Sequence, residues 1–150
     1  MKIVKIARAL TIAVALSMLS AGAARAEDAR PWLCRDKPVF SYDKPMQYQV
    51  TAHSGRQWRI FFMQYSPDAA HDGFDIVNTR DITSQGAAES GNLTAGRYFA
   101  VALYRSGGHW ICPGYTHDDR DPTRGEVSNL CYGEEGPPCL VNLKVKSSGN

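Results

Sequence analysis

Met46-Gln-Tyr-Gln-Val-Thr-Ala52 is the stretch on which the fold turns. In an extended chain Met46, Tyr48, Val50 and Ala52 fall on one side and Gln47, Gln49 and Thr51 on the other, because successive side chains of a strand point to opposite faces. This strict apolar–polar alternation predicts a half-buried β-strand. Next, His53-Ser-Gly-Arg56 supplies turn residues. Gln57-Trp-Arg-Ile-Phe-Phe-Met-Gln-Tyr65 is aromatic and β-branched enough to predict a second, more deeply buried strand. The two are expected to pair as a hairpin.

Working outward from this pair, residues 66–73 read as a loop, 74–83 as a strand and 84–91 as a polar, Gly-containing connection. Residues 94–104 predict a central strand with Phe99, Val101 and Leu103 on one face and Tyr98, Ala100, Ala102 and Tyr104 on the other. Ser106-Gly-Gly108 turns the chain into the short strand His109-Trp-Ile-Cys-Pro113. Residues 114–138 are loop-like, being rich in Asp, Gly and Pro. Finally, Val141, Leu143 and Val145 alternate with Asn142, Lys144 and Lys146 in a strand exposed on one side. Short strands at this spacing, with no amphipathic helix, repeat or linker among them, predict an all-β chain folded as one small antiparallel β-sandwich.

The N-terminus has a different character. Lys2, Lys5 and Arg8 precede the apolar run from Ala9 to Leu19, and small residues lead to Ala24-Arg-Ala26. These are the three parts of a secretory signal peptide, expected to span residues 1–26 and to be cleaved after Ala26. The apolar run is too short to span a bilayer, which takes about 20 residues. The expected product is a single domain of residues 27–150 without a membrane span, located in the periplasm or secreted. Cleavage would remove four of the 17 Lys and Arg residues and none of the 15 Asp and Glu, turning a formal charge of +2 into −2. With its basic residues scattered singly, the chain lacks the concentrated positive stripe that nucleic-acid binding requires.

All four cysteines, Cys34, Cys112, Cys131 and Cys139, lie in the exported part. An even number in an oxidising compartment predicts two disulfides, for which three pairings are open. Cys131 with Cys139 would close a turn-rich segment, and Cys34 with Cys112 is the complementary choice. There is no Cys-x-x-Cys pair for thiol or metal chemistry.

Catalytic motifs are not convincing. Ser41-Tyr-Asp-Lys44 has Ser-x-x-Lys spacing but lacks its partner motifs. The sequence contains no Gly-x-Ser-x-Gly elbow, His-Glu-x-x-His or phosphate-cradling loop. Asp118, Asp119 and Asp121 offer oxygen ligands, yet Arg124 and Leu130 stand where a calcium loop of the EF-hand type needs Gly and Glu. No cofactor or metal is expected, and the chain reads as a non-enzyme. Trp32, Trp58, Trp110, Tyr98 and Tyr104 either pack between sheets or form an aromatic platform. Turn tips on a disulfide-stapled scaffold present fixed side chains, so recognition of a partner is expected at Ser106, His109 and Trp110 together with Asp118, Asp119 and Asp121.

The order Tyr48-Gln-Val-Thr-Ala-His-Ser-Gly-Arg-Gln-Trp-Arg-Ile-Phe-Phe62, then Gly91-Asn-Leu-Thr-Ala-Gly-Arg-Tyr-Phe-Ala-Val-Ala-Leu103, then residues 140–146, resembles bacterial pre-peptidase C-terminal domains. It is also similar to the periplasmic lysozyme inhibitors of goose and invertebrate types. The resemblance covers about half of the exported part. The inhibitors' Ser-Gly-x-x-Tyr motif appears as Ser54-Gly-Arg-Gln-Trp58, and the stretch between Cys112 and Cys139 lies outside the pattern. The resemblance implies a β-sandwich that binds rather than catalyses. The leading expectation is an exported inhibitor of a cell-wall hydrolase such as lysozyme, with a protein partner. A carbohydrate-binding or secretion-associated accessory module, binding a glycan, is the alternative. A small hydrolase with a site assembled across loops comes third.

Overall fold

The computed structural model describes residues 29–120 and 127–148, so the expected signal peptide and its cleavage point lie outside the described residues. The described chain is a two-sheet antiparallel sandwich. A short 3₁₀ turn, Pro31–Leu33, precedes ten strands. These are β1 (Val39–Tyr42), β2 (Met46–Ala52), β3 (Trp58–Tyr65), β4 (Phe74–Ile82), β5 (Ala88–Leu93), β6 (Gly96–Ser106), β7 (His109–Ile111), β8 (Tyr115–Arg120), β9 (Val127–Gly133) and β10 (Val141–Ser147). Sheet A has the order β1-β6-β3-β4, with β7 also paired to β6, and sheet B has the order β5-β2-β10-β9-β8.

The expected hairpin of β2 with β3 does not form. β2 lies between β5 and β10 in sheet B, and β3 between β4 and β6 in sheet A. The turn between them carries the chain from one sheet to the other. Both strands bury a full apolar row, and facing rows fill a sandwich better than neighbouring ones; Tyr48 meets Phe62 across the gap with ring centroids 4.4 Å apart.

Two segments read as loops are strands. β5 lies within the expected 84–91 connection and runs two residues past it, and β8 and β9 occupy much of 114–138. β5 escapes notice because it is an edge strand with exposed polar residues and a glycine at its centre. Tyr48 explains that glycine: a Cβ on Gly91 would collide with the Tyr48 phenol, which passes over it to reach Asn78 and Arg80 of β4. In β9, Leu130 and Tyr132 point inward while Cys131 points out, so the alternation is hidden by an apolar residue on the polar side.

The apolar residues divide into two groups. Tyr48, Val50, Trp58, Ile60, Phe62, Tyr98, Leu130, Tyr132 and Leu143 belong to the core between the sheets. Phe61, Met63, Phe99, Val101, Leu103 and Trp110 form a second cluster on the outer side of sheet A. Residues 29–38 roof this cluster. Cys34 is buried in it and bonded to Cys112, and Trp32 stacks on His71 with centroids 3.6 Å apart. Burial of each such side chain contributes roughly 1.5–3 kcal/mol, which is why a chain segment is retained there instead of water.

Candidate functional site

Strand direction collects one set of loops at one end of the sandwich. Trp58 pairs with Tyr104 and Ile82, so the start of β3 meets the end of β6 and of β4; Ala52 pairs with Val141, whose other neighbour is Tyr132. The turn 53–57, the connection 83–87, the hairpin tip 106–109 and the loop 134–140 therefore share this end. Backbone bonds tie them together: Ala52 N–H to Ala87 O, His53 N–H to Leu140 O, Gly86 N–H to Ala52 O and Arg105 N–H to Gln57 O, all between 2.8 and 3.0 Å. Arg56 adds an ion pair to Glu134 at 2.5 Å and lies 5.1 Å over the Tyr104 ring.

Both disulfides brace this same end. Cys34–Cys112 holds the exit of β7 against the roof, and Cys131–Cys139 holds the loop 134–140 back onto β9. These are the bonds expected, with no free cysteine among the described residues. Gly114, following Cys112, packs so closely on the Glu134 carbonyl that no Cβ would fit.

From this end projects the two-residue tip of the β6–β7 hairpin. Gly107 and Gly108 both have positive φ, 57° and 80°, as a two-residue turn matching strand twist requires. Ser106 and His109 pair across it and are exposed. Trp110, expected to meet a partner, instead anchors the hairpin. It is 9% exposed, its ring centre lies 4.6 Å from the Arg59 guanidinium and 5.7 Å from that of Arg105, and its indole N–H is buried with no hydrogen-bond partner among the described residues. Arg59 is held in turn by two bonds to Asp81, 2.6 and 2.8 Å, which raise its pKa despite partial burial.

Asp118 and Asp119 belong elsewhere. They lie in β8, which starts at the loop end with Tyr115 opposite Gly133 and runs away from it. As neighbours in a strand they point to opposite faces: Asp118 pairs with core Leu130, and Asp119 with outward Asn129. They do not form a shared oxygen site, and the described residues hold no group of three His, Cys, Asp or Glu able to bind a metal. Asp121 falls outside the described residues. The recognition surface expected from sequence thus divides between two regions.

Asp119 joins a chain of side chains that crosses the outer face of sheet B. His117 Nε2 is 3.3 Å from Asp119 Oδ1, Asn129 Nδ2 donates to Asp119 Oδ2 at 3.4 Å, Asn142 Nδ2 donates to Asn129 Oδ1 at 3.2 Å, and His53 Nε2 meets Asn142 Oδ1 at 2.9 Å. Beside it a trough of about 720 Å³ crosses β5, β2 and β10, edged by Gln47, Gln49, Ser90, Asn92, Lys144 and Lys146. Gln47, Gln49, Lys144 and Lys146 were visible in sequence as the polar half of an alternation, whereas Ser90 was visible only as part of a polar connection.

The aromatic residues pack. Trp58 and Tyr98 are buried, Trp32 and Tyr104 are half-buried, and Trp58 Nε1 donates to Ser54 Oγ at 3.2 Å. Tyr132, fully buried, donates to Ala100 O at 2.8 Å; burial pushes its pKa well up, and Asp118 adds to the effect. Ser41 and Lys44 are both exposed at the end of β1. No described helix is long and apolar enough to cross a membrane. No family model, curated protein or solved structure matches the chain, so the site stands on its own geometry.

Proposed function

We propose that the protein is exported, acts without turnover, and grips a protein partner with its braced loop end, inserting the Ser106–His109 tip into a cleft of a cell-wall hydrolase of lysozyme type. The observation that carries this reading is the convergence of both disulfides on the end from which that tip projects. A thin turn fixed in advance loses little conformational entropy on binding, and preorganisation of this kind is what an inhibitory loop needs. The disulfides suit an oxidising compartment in the periplasm or outside the cell. The resemblance to periplasmic lysozyme inhibitors supports the partner class. The contact must differ from theirs, however, since Trp58, at the place of their motif tyrosine, is buried.

Lysis assays with goose-type and invertebrate-type lysozymes test the proposal. Stoichiometric inhibition is expected, weakened at least tenfold by Ser106→Arg, which crowds the tip without touching the core. Absence of both inhibition and a stable complex overturns it. A second reading, binding of a glycan, draws on the trough of amides and lysines on sheet B. Calorimetric titration with cell-wall glycans distinguishes it, because binding there is abolished by Lys144→Glu and unaffected by Ser106→Arg.

A further inference from the structure

Strand β4 is one edge of sheet A, nine residues long and paired only with β3; the opposite edge is made of the short strands β1 and β7. Free edges of natural sheets are guarded by charges, bulges or short length, since their unpaired N–H and C=O groups invite another strand; β4 is long, and its one irregularity is at Val77. Here the stretch before the centre of the edge is apolar: Ile76 is 42% and Val77 48% exposed. The charges flank the centre with opposite signs, Asp75 before it and Arg80 after it, while Asp81 is already paired with Arg59.

We propose that β4 is a dimerisation edge, on which a second copy of this chain adds its own β4 antiparallel about a two-fold axis between Val77 and Asn78. In this register residues whose numbers sum to 155 stand opposite each other. Asp75 of each copy then meets Arg80 of the other, Ile76 meets Thr79, and Val77 meets Asn78.

The register follows from which way the side chains point. Asp75, Asn78, Arg80 and Ile82 share the inner side with their partners Gln64, Phe62, Ile60 and Trp58. Ile76, Thr79 and Asp81 share the outer side with Met63, Phe61 and Arg59. Val77 is the extra residue where the β3–β4 register shifts between Phe62 and Met63. Opposite residues of paired strands must share a side, and a slip by one residue exchanges sides. Even sums therefore fail, because they set inward Asp75 against outward Thr79 or Asp81. A sum of 157 sets inward Asn78 against outward Thr79. A sum of 153 respects the sides but leaves Asp75 facing Asn78 and Arg80 facing Gly73. Only 155 among these satisfies both side and charge, and it places the irregular Val77 on the axis, where the two copies share it. The existing bonds leave room for this: Asp75 Oδ1 accepts from Ala70 N–H, and Arg80 uses its Nε on the Tyr48 hydroxyl. Glu89 lies near enough to favour the Arg80 charge, but among the described residues no hydrogen bond engages its other N–H groups, which can meet a carboxylate.

Light scattering of purified protein, followed from about 10 μM to about 1 mM, reads the outcome. The mass should rise from one copy to two. Asp75→Arg and Arg80→Asp each replace two attractions by two repulsions and should raise the dimer Kd about tenfold. An equimolar mixture of the two variants restores both attractions and should dimerise at least as well as wild type. A wild-type protein that stays monomeric throughout, or a mixture no stronger than either variant alone, overturns the proposal. Should Arg80→Asp fail to fold for want of its Tyr48 bond, wild type against Val77→Lys decides: Val77 lies outside the core, and only a β4 interface makes its charge prevent dimerisation.

Discussion

The outer side of sheet A carries Phe61, Met63, Phe99, Val101 and Leu103, all covered by residues 29–38, β7 and Trp110. The outer side of sheet B carries Gln47, Gln49, Asn92, Lys144 and Lys146, and nothing described covers them. The difference is written in the strands. β2 and β10 alternate and bury one face, whereas β3 and β6 are apolar on both and need a second cover. The roof follows from that composition, and the Cys34–Cys112 bond holds it in place. The outer face of sheet A is thus committed to stability, and sheet B is left with a face that can be altered at little cost.

The sharpest way to break this contrast is to release the roof. Cys34→Ser with Cys112→Ser opens a link between residues 78 apart and should cost about 4.5 kcal/mol of stability. The denaturation midpoint should fall, and a dye that senses apolar surface should bind the exposed cluster. The Cys131–Cys139 pair, 8 residues apart, should cost only about 2.5 kcal/mol when removed, with no new dye binding. Beneath the roof, Met63→Ala should cost about 3 kcal/mol, as for a fully buried side chain whose site cannot collapse; chemical denaturation measures it.

Alkaline titration probes the core that both sheets share. Tyr132 has a folded pKa raised above its unfolded value of about 10, so its contribution is complete below pH 10 and lost as pH rises beyond it. Stability should fall there by about 1.4 kcal/mol per pH unit from this group, and Tyr132→Phe should remove that share of the slope. The smallest effect belongs to the open face. Lys144→Ala should change stability by less than about 0.5 kcal/mol, and a larger loss would mean that the outer face of sheet B carries part of the fold's stability.

Legibility followed local pattern rather than sheet. β2 and β10 were plain because their alternation survives intact, and β6 because its long apolar run marks a central strand; the two faces named for β6 are the two clusters it fills. β5, β8 and β9 were read as connection or loop because edge position, Gly91 and outward Cys131 erase the local signal. In the candidate site, Ser106, Gly107, Gly108 and His109 were legible as a turn tip. The role of Trp110 was not, since nothing in its neighbours foretells the guanidinium of Arg59 arriving from β3. The chain of His117, Asp119, Asn129, Asn142 and His53 was equally hidden, because it needs three strands in register.

The sequence by itself determined the class of structure, since alternation and turn residues are local and backbone geometry translates them directly into strands. Its even number of cysteines likewise foretold two disulfides, and two are formed. Which strands would be neighbours was decided only in the tertiary structure. Two adjacent strands can pair or face each other with the same buried rows, and the choice depends on what else fills the sandwich. That choice set β2 against β10, brought both disulfides to one end, and separated Asp119 from the hairpin tip.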